Sequence, residues 1–348
     1  MGDFVGNKFN SIKTGAFLDF ITAVVGLIWV VAGFVGGIKV VSHFVDISYV
    51  SALFITLILI GGYILLSGYR VVLITDVVQA VVIFGLLGLI MVALGLSVDL
   101  TEVIQTVTEP VPITLMFGIA IYGFFSIFGS ADRYQLIYSA KNLHAARRGM
   151  AWGIVPFTVA FVPIVIIGLF MRLQDVSLDP DIIFLTFLNE YSAPALLPFA
   201  SVMLVAGLMS TADTWIYAIA SHLQNAFNKW RKQTQGQSIK LSVSSLRKMV
   251  VMVLVAMGIS SFFFRELITL AILSAIISLV VSVPMLYVIS NGKYTRRFVA
   301  ATILGILGAI GGVAIFGSVP AVAPIPIIFS AIGLLIPISL LDKIKIRF

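Results

Sequence analysis

The sequence predicts an all-α, polytopic membrane protein of about ten transmembrane helices, and three observations predict it. Hydrophobic residues make up 60% of the 348 positions and charged residues only 11%, with a mean hydropathy of +1.13; soluble domains carry roughly 25% charged residues. The apolar residues fall in runs of about 20, the helix length that crosses a bilayer core of roughly 30 Å, with no alternating pattern of a membrane β-barrel. The charges, finally, are sorted to one side of those runs.

Ten segments follow from the hydropathy, in order Phe17–Ile38, Tyr49–Tyr69, Val71–Val98, Ile113–Gly129, Trp152–Met171, Pro194–His222, Met249–Phe264, Leu267–Ile289, Phe298–Phe316 and Ile325–Leu341. Gly, Pro or charge marks their boundaries, as helix ends require. The polar stretch Asn225–Lys248, with six basic residues, reads as a solvated loop that could touch anionic headgroups. The chain is expected to be one membrane domain, residues 1–348.

With the N-terminus placed in the cytoplasm, the cytoplasmic segments hold nineteen of the 22 basic residues. Only Lys39, Arg172 and Arg265 fall outside, where the loops carry acids instead: Asp46, Asp99, Glu102, Glu109, Asp175, Asp179, Asp181, Glu190 and Glu266. Positive charge favours the cytoplasmic side, and a missed helix would reverse the bias partway along the chain. A multi-pass protein of the plasma membrane with both termini cytoplasmic is therefore expected. The same distribution accounts for the net charge of +7 without nucleic acid.

The absence of cysteine excludes disulfides, thiolate metal sites and cysteine nucleophiles. His43, His144 and His222 lie far apart and form no ligand pair. With no nucleophile–base pair either, the chain reads as a non-enzyme without an organic cofactor. The first apolar segment is too long for the core of a cleavable signal.

Ionisable residues at membrane depth are costly and usually face a cavity or a partner. Asp76 lies near the start of the third segment, where it could simply pair with Arg70; Asp213 lies well inside the sixth. In a helix, Ser210, Asp213 and Thr214 share one face at i, i+3 and i+4, with Thr211 about 100° round the axis. Gly207, one turn earlier, would let a neighbouring helix approach. Hydroxyls plus a carboxylate suit a hard cation such as Na⁺, and a carboxylate equally suits a proton. Ser or Thr alone could merely bond the carbonyl four residues back. The fourth segment is rich in Gly and aromatics, from Gly118 to Gly129. It is either a helix whose backbone opens to a solute or one whose glycines admit close neighbours.

Three motifs in order and on matching segments resemble the sodium:solute symporter family, which includes proline, pantothenate, sugar and sialic acid symporters. They are Gly68-Tyr69-Arg70 through Thr75-Asp76-Val77-Val78-Gln79, then Gly129 through Arg133, Gln135, Lys141 and Arg147-Arg148, and Leu208-Met209-Ser210-Thr211-Ala212-Asp213. In the second motif Arg133 precedes Gln135, the reverse of the family order.

The resemblance implies a leucine-transporter-type inverted-repeat fold, present in part. Residues 17–98 would be three helices ending the first repeat, 113–289 five helices of the second, and 298–341 two peripheral helices. It implies a sodium site at Gly207, Ser210 and Thr211, and a possible second cation site at Asp76, Ser210, Asp213 and Thr214. Tyr122, Ser126, Ser274 and Ser278 would line a solute pocket. A typical member carries three helices before the segment matching Met1–Asn10. Those helices are expected from an upstream reading frame or a partner chain.

The expected function is thus a secondary active transporter, or a fragment of one, coupling Na⁺ entry to uptake of a small polar solute across the lipid bilayer. The alternative is a symporter-like sensory module or a non-transporting short form.

Overall fold

The computed structural model describes residues 1–66, 69–97, 112–175, 177–191, 194, 197–235 and 242–343. Gly68, the side chain of Arg70, the acids Asp99, Glu102 and Glu109, and residues 236–241 and 344–348 lie outside the described residues. The described residues are 89% helical, with no strand among them. In order the helices are α1 (Gly2–Lys8), α2 (Ile12–Val45), α3 (Tyr49–Leu66), α4 (Tyr69–Ser97), α5 (Ile113–Gly129), α6 (Ala131–Ser139) and α7 (Leu143–Gln174). There follow α8 (Ile183–Tyr191), α9 (Leu197–Gln235), α10 (Val243–Phe263), α11 (Leu267–Ile289), α12 (Thr295–Phe316), a 3₁₀ turn (Pro320–Val322), α13 (Pro324–Leu335) and α14 (Ile338–Lys343).

Among the described residues seven helices are long and apolar enough to cross a membrane: α2, α3, α7, α9, α10, α11 and α12. The pair α5–α6, bent by 46° at its break, adds an eighth if it is one span. Of the two remaining expected segments, α4 has the length at 29 residues. The last one differs from expectation. Residues Ile325–Leu341 are not one spanning helix: α13 stops at Leu335 after 12 residues, about 18 Å of helix. The cause is Pro337, which drives Ile336 out of the helical region to ψ 128.

Residues Ile113–Gly129 and Leu267–Ile289 coincide with α5 and α11. Helices α2, α7, α9, α10 and α12 outrun the apolar runs. Ser11 caps α2, its hydroxyl accepting the Thr14 N–H at 3.2 Å, and Asp46 closes it in the left-handed region at φ 53. The expected loop Asn225–Lys248 is largely helical. The stretch Asn225–Gln235 has no Gly or Pro, so α9 continues through it, and α10 restarts beyond Ser242, whose hydroxyl accepts the Ser245 N–H at 3.1 Å. Hydropathy marks where a helix leaves the membrane, not where it ends.

Helices α2 and α9 form the antiparallel spine. A Cβ on Gly26 of α2 would sit 2.9 Å from Ile219 and 3.1 Å from Trp215, while one on Gly37 would meet Leu208 at 3.3 Å. Trp29 and Trp215 stack across this contact at 6.4 Å. Around the spine, α2, α3, α9 and α10 bury Val35, Ile38, Ile64, Ile216, Val253 and Met257. A second cluster joins α4, α7, α8 and α9 through Leu87, Ile167, Phe187 and Met203.

At the Ser11 end of α2, the short α1 is tied down by a third membrane acid that the sequence reading passed over. Asp19 is 1% exposed. It accepts hydrogen bonds from the Gly2 N–H at 3.1 Å, His222 Nδ1 at 2.7 Å and Lys229 Nζ at 2.6 Å. Lys229 also reaches Asp3 at 2.8 Å. Val5 of α1 is buried with Leu18, Met285, Val288 and Phe298, so α1 plugs the ends of α2, α9, α11 and α12.

Candidate cation site

Helices α4 and α9 bring the expected polar residues face to face. Ser210 Oγ donates to Asp76 Oδ1 at 2.6 Å. Thr214 Oγ1 lies 3.3 Å from Asp76 Oδ2 and 3.5 Å from Asp213 Oδ1. Asp213, 1% exposed, accepts the Thr214 N–H at 2.7 Å. The wheel argument therefore holds for Ser210, Asp213 and Thr214.

The structure adds two residues. Tyr63 of α3 donates to Asp213 Oδ2 at 3.3 Å and shares a short hydrogen bond with Thr75. Thr75 stands beside Asp76 in the first motif, on the third segment. Tyr63 carried no signal, because only the packing of α3 aims its hydroxyl at α9.

The donors are all oxygens. Two carboxylates flank one hydroxyl, whose single proton can serve only one of them. Among the described residues no ion pair joins Asp76 or Asp213 to Lys, Arg or His. Buried charges require a compensating partner, which a hard cation or a proton between them could supply.

Thr211 goes elsewhere. It is exposed, and its hydroxyl donates to the Gly207 carbonyl at 3.1 Å. Ser210 and Thr211 thus point in different directions: Ser210 to the carboxylates, Thr211 about 100° round the helix onto the Gly207 carbonyl. Gly207 does not serve the close helix approach expected of it. A Cβ there would touch only Ile83, at an ordinary 3.6 Å.

The four pocket candidates lie along the contact of α5 with α11. Ser126, Ser274 and Ser278 are buried and Tyr122 half-buried. Ser274 and Ser278 donate to Ala271 and Ala275 carbonyls of their own helix, each at 2.7 Å. Gly129 admits α11: a Cβ there would meet the Ser278 carbonyl at 2.5 Å and Ser282 Oγ at 3.0 Å. Gly118 lies equally close to the Pro320 carbonyl, whereas Gly123 faces open space. The helix also breaks, at Ser130, where the backbone is extended (φ −81, ψ 105). The stretch after the break, expected as a loop, is helix α6. Gln79 Oε1, Asp132 Oδ1 and Gln135 Oε1, all from the motif segments, are buried without a hydrogen-bond partner among the described residues.

Helical membrane spans, a discontinuous helix and an oxygen cluster between two spans define a membrane protein of the leucine-transporter fold. Comparison with solved structures agrees: the chain superposes on a Na⁺-coupled sialic acid symporter in its substrate-bound outward-open state. The TM-score is 0.70 at 18% identity, over 95% of this chain and 75% of that one. No family model matches the chain. In sequence it is similar to the high-affinity proline transporter PutP of Bacillus subtilis (strain 168), 26% identical over 215 residues. That match spans 56% of this chain and 44% of the relative.

Proposed function

We propose that the chain is the ion-binding part of a secondary active transporter that couples Na⁺ entry to uptake of a small polar solute. The observation that carries this reading is the meeting of Asp76, Asp213, Ser210 and Thr214 between α4 and α9, two acids and two hydroxyls with no basic partner among the described residues. A relative and a fold neighbour that are solute symporters support it. In this reading Asp76 and Asp213 supply the charge, and Ser210 and Thr214 the neutral oxygens. Tyr63 orients Asp213. The Gly207 carbonyl and Thr211 offer a second oxygen pair about 100° round the helix. Helices α2–α4 correspond to the end of a first repeat, and α5–α11 to the second.

The charge distribution supports cytoplasmic termini in the plasma membrane. In a chain without cysteine, Thr234→Cys is expected to react with an impermeant thiol reagent in inverted vesicles and not in intact cells. Labelling in intact cells reverses the orientation.

At the Gly207–Thr211 face, unlike the Asp76–Asp213 cluster, a dehydrated Na⁺ would find only two oxygens, the Gly207 carbonyl and the Thr211 hydroxyl. An ion on that face would draw its remaining oxygens from an upstream segment or a partner chain. The test is reconstitution of the purified chain in liposomes under an imposed Na⁺ gradient. No concentrative uptake is expected from the chain alone, and uptake once the missing segment is supplied. Uptake by the chain alone, abolished by Ser210→Ala, would show that these helices suffice.

A further inference from the structure

At the end of α2 opposite Asp19, one carboxylate holds three elements together. Asp181, in the turn before α8, pairs with Lys39 of α2. It also accepts the Leu267 N–H at 2.8 Å and the Ile268 N–H at 3.0 Å, the first amides of α11. Glu266 sits at the cap position of α11 but makes no cap bond. Asp181, 86 residues before Leu267 in the chain, takes its place and satisfies two of the donors a helix start leaves open. The pair is largely covered, with Lys39 22% and Asp181 9% exposed. Burial alone would raise the Asp181 carboxyl; the hydrogen bonds from Lys39, Leu267 and Ile268 outweigh it and hold the group below its ordinary value.

Directly against this pair lies a cavity of about 370 Å³, which Lys39 and Asp181 line together with Leu204, Gly207 and Leu208. The walls are otherwise apolar, from α2, α4, α7, α8 and α9. Gly207 is the eleventh residue of α9, about 15 Å along its axis, roughly half of a hydrocarbon core. The cavity therefore runs from the Lys39–Asp181 pair towards mid-membrane. It ends at the carbonyl that Thr211 shares, less than one turn from Ser210.

We propose that Lys39, Asp181 and the first amides of α11 form a latch that closes the passage from the α8 side of the membrane to the Gly207 carbonyl and the oxygen cluster beyond it. This rests on the transport reading for its purpose, though not for its test. Opening requires α8 or α11 to move relative to α2, and one carboxylate resists both motions. Its bonds are exchangeable for water at the membrane surface, which a reversible closure needs and an apolar contact would not provide.

The absence of native cysteine makes the test direct. Leu208→Cys places a thiol at the inner end of the cavity, and Ser177→Cys places one in the exposed turn beside α8. Reaction with a bulky water-soluble maleimide is followed for the chain in lipid nanodiscs, alone and combined with Asp181→Asn or Lys39→Met. The amide of Asp181→Asn can still cap α11, and Lys39→Met keeps the stem, so each chiefly removes the ion pair. Labelling of Leu208→Cys should quicken about ten-fold or more in both variants, with Ser177→Cys unchanged. Equal rates at Leu208→Cys, or the same acceleration at both positions, would overturn the latch. No solute or gradient enters this readout. Accelerated labelling with Na⁺ binding that ignores Ser210→Ala would remove the transport reading and keep the latch, and the converse would remove the latch alone.

Discussion

Asp19→Ala is expected to lower the thermal stability of the chain by roughly 10 °C, the largest effect of any single substitution outside the apolar core. Asp19 is buried and receives three donors from three elements: the Gly2 amide, His222 and Lys229. Removing it strands the Lys229 ammonium, itself only 16% exposed, with the exposed Asp3 as its remaining partner. Breaking one side of a buried ion pair typically costs about 3–5 kcal/mol, because the other charge stays buried. The Gly2 amide and His222 lose their acceptor as well. Asp19→Asn keeps an oxygen for both but not the charge, so it should fall between the two. The measurement is the midpoint for loss of monodispersity after heating in detergent. A shift of Asp19→Ala within one degree of the parent would show that α1 is held by Val5 and its apolar neighbours alone.

The second large effect is on ion binding. Ser210→Ala and Asp76→Asn are each expected to raise the Na⁺ concentration for half-saturation at least about ten-fold, the equivalent of roughly 1.4 kcal/mol per decade. Both remove an oxygen or a charge from the Asp76–Ser210–Thr214 contact while keeping side-chain shape. Thr211→Ala should shift it by less than about three-fold, since its hydroxyl faces the Gly207 carbonyl on the exposed side. The readout is intrinsic tryptophan fluorescence against Na⁺ at constant ionic strength. Trp215 follows Thr214 directly and stacks on Trp29, so a cation at Thr214 should reach it. A larger loss with Thr211→Ala than with Ser210→Ala would place the ion on the Gly207 face instead. No response to Na⁺ in the parent, with a response to pH that Asp76→Asn removes, would make the coupling ion a proton.

The helices themselves were legible because a membrane span leaves a one-dimensional record. About 20 apolar residues bounded by Gly, Pro or charge suffice, and α5 and α11 match their expected ranges residue for residue. The errors have one origin. Hydropathy registers contact with lipid, whereas helix length follows backbone hydrogen bonding, so the expected segment stops at His222 where α9 runs on to Gln235, and α6 falls outside the ten segments. In the last segment, weighing hydropathy over Pro337 joined α13 to α14.

For the site, spacing on a single helix was enough to group Ser210, Asp213 and Thr214, because helical geometry relates residues three and four apart. Its opposite wall lies 134 positions away in sequence at Asp76, and there only the motif resemblance joined them. Sequence by itself determined the solvent of this protein, most of its spans, the expected sidedness and two of its three membrane acids, Asp76 and Asp213 but not Asp19. The tertiary structure alone decided which partner each acid takes. It gave Asp76 the hydroxyls of α9, gave Asp213 the Tyr63 phenol, and gave Asp19 the His222–Lys229 pair. It also made Asp181 the cap of α11. Such contacts join residues from 86 to 210 positions apart. The physical reason is that a polar bond is short and directional, and over such separations it is set by how helices pack rather than by the order of residues along any one of them.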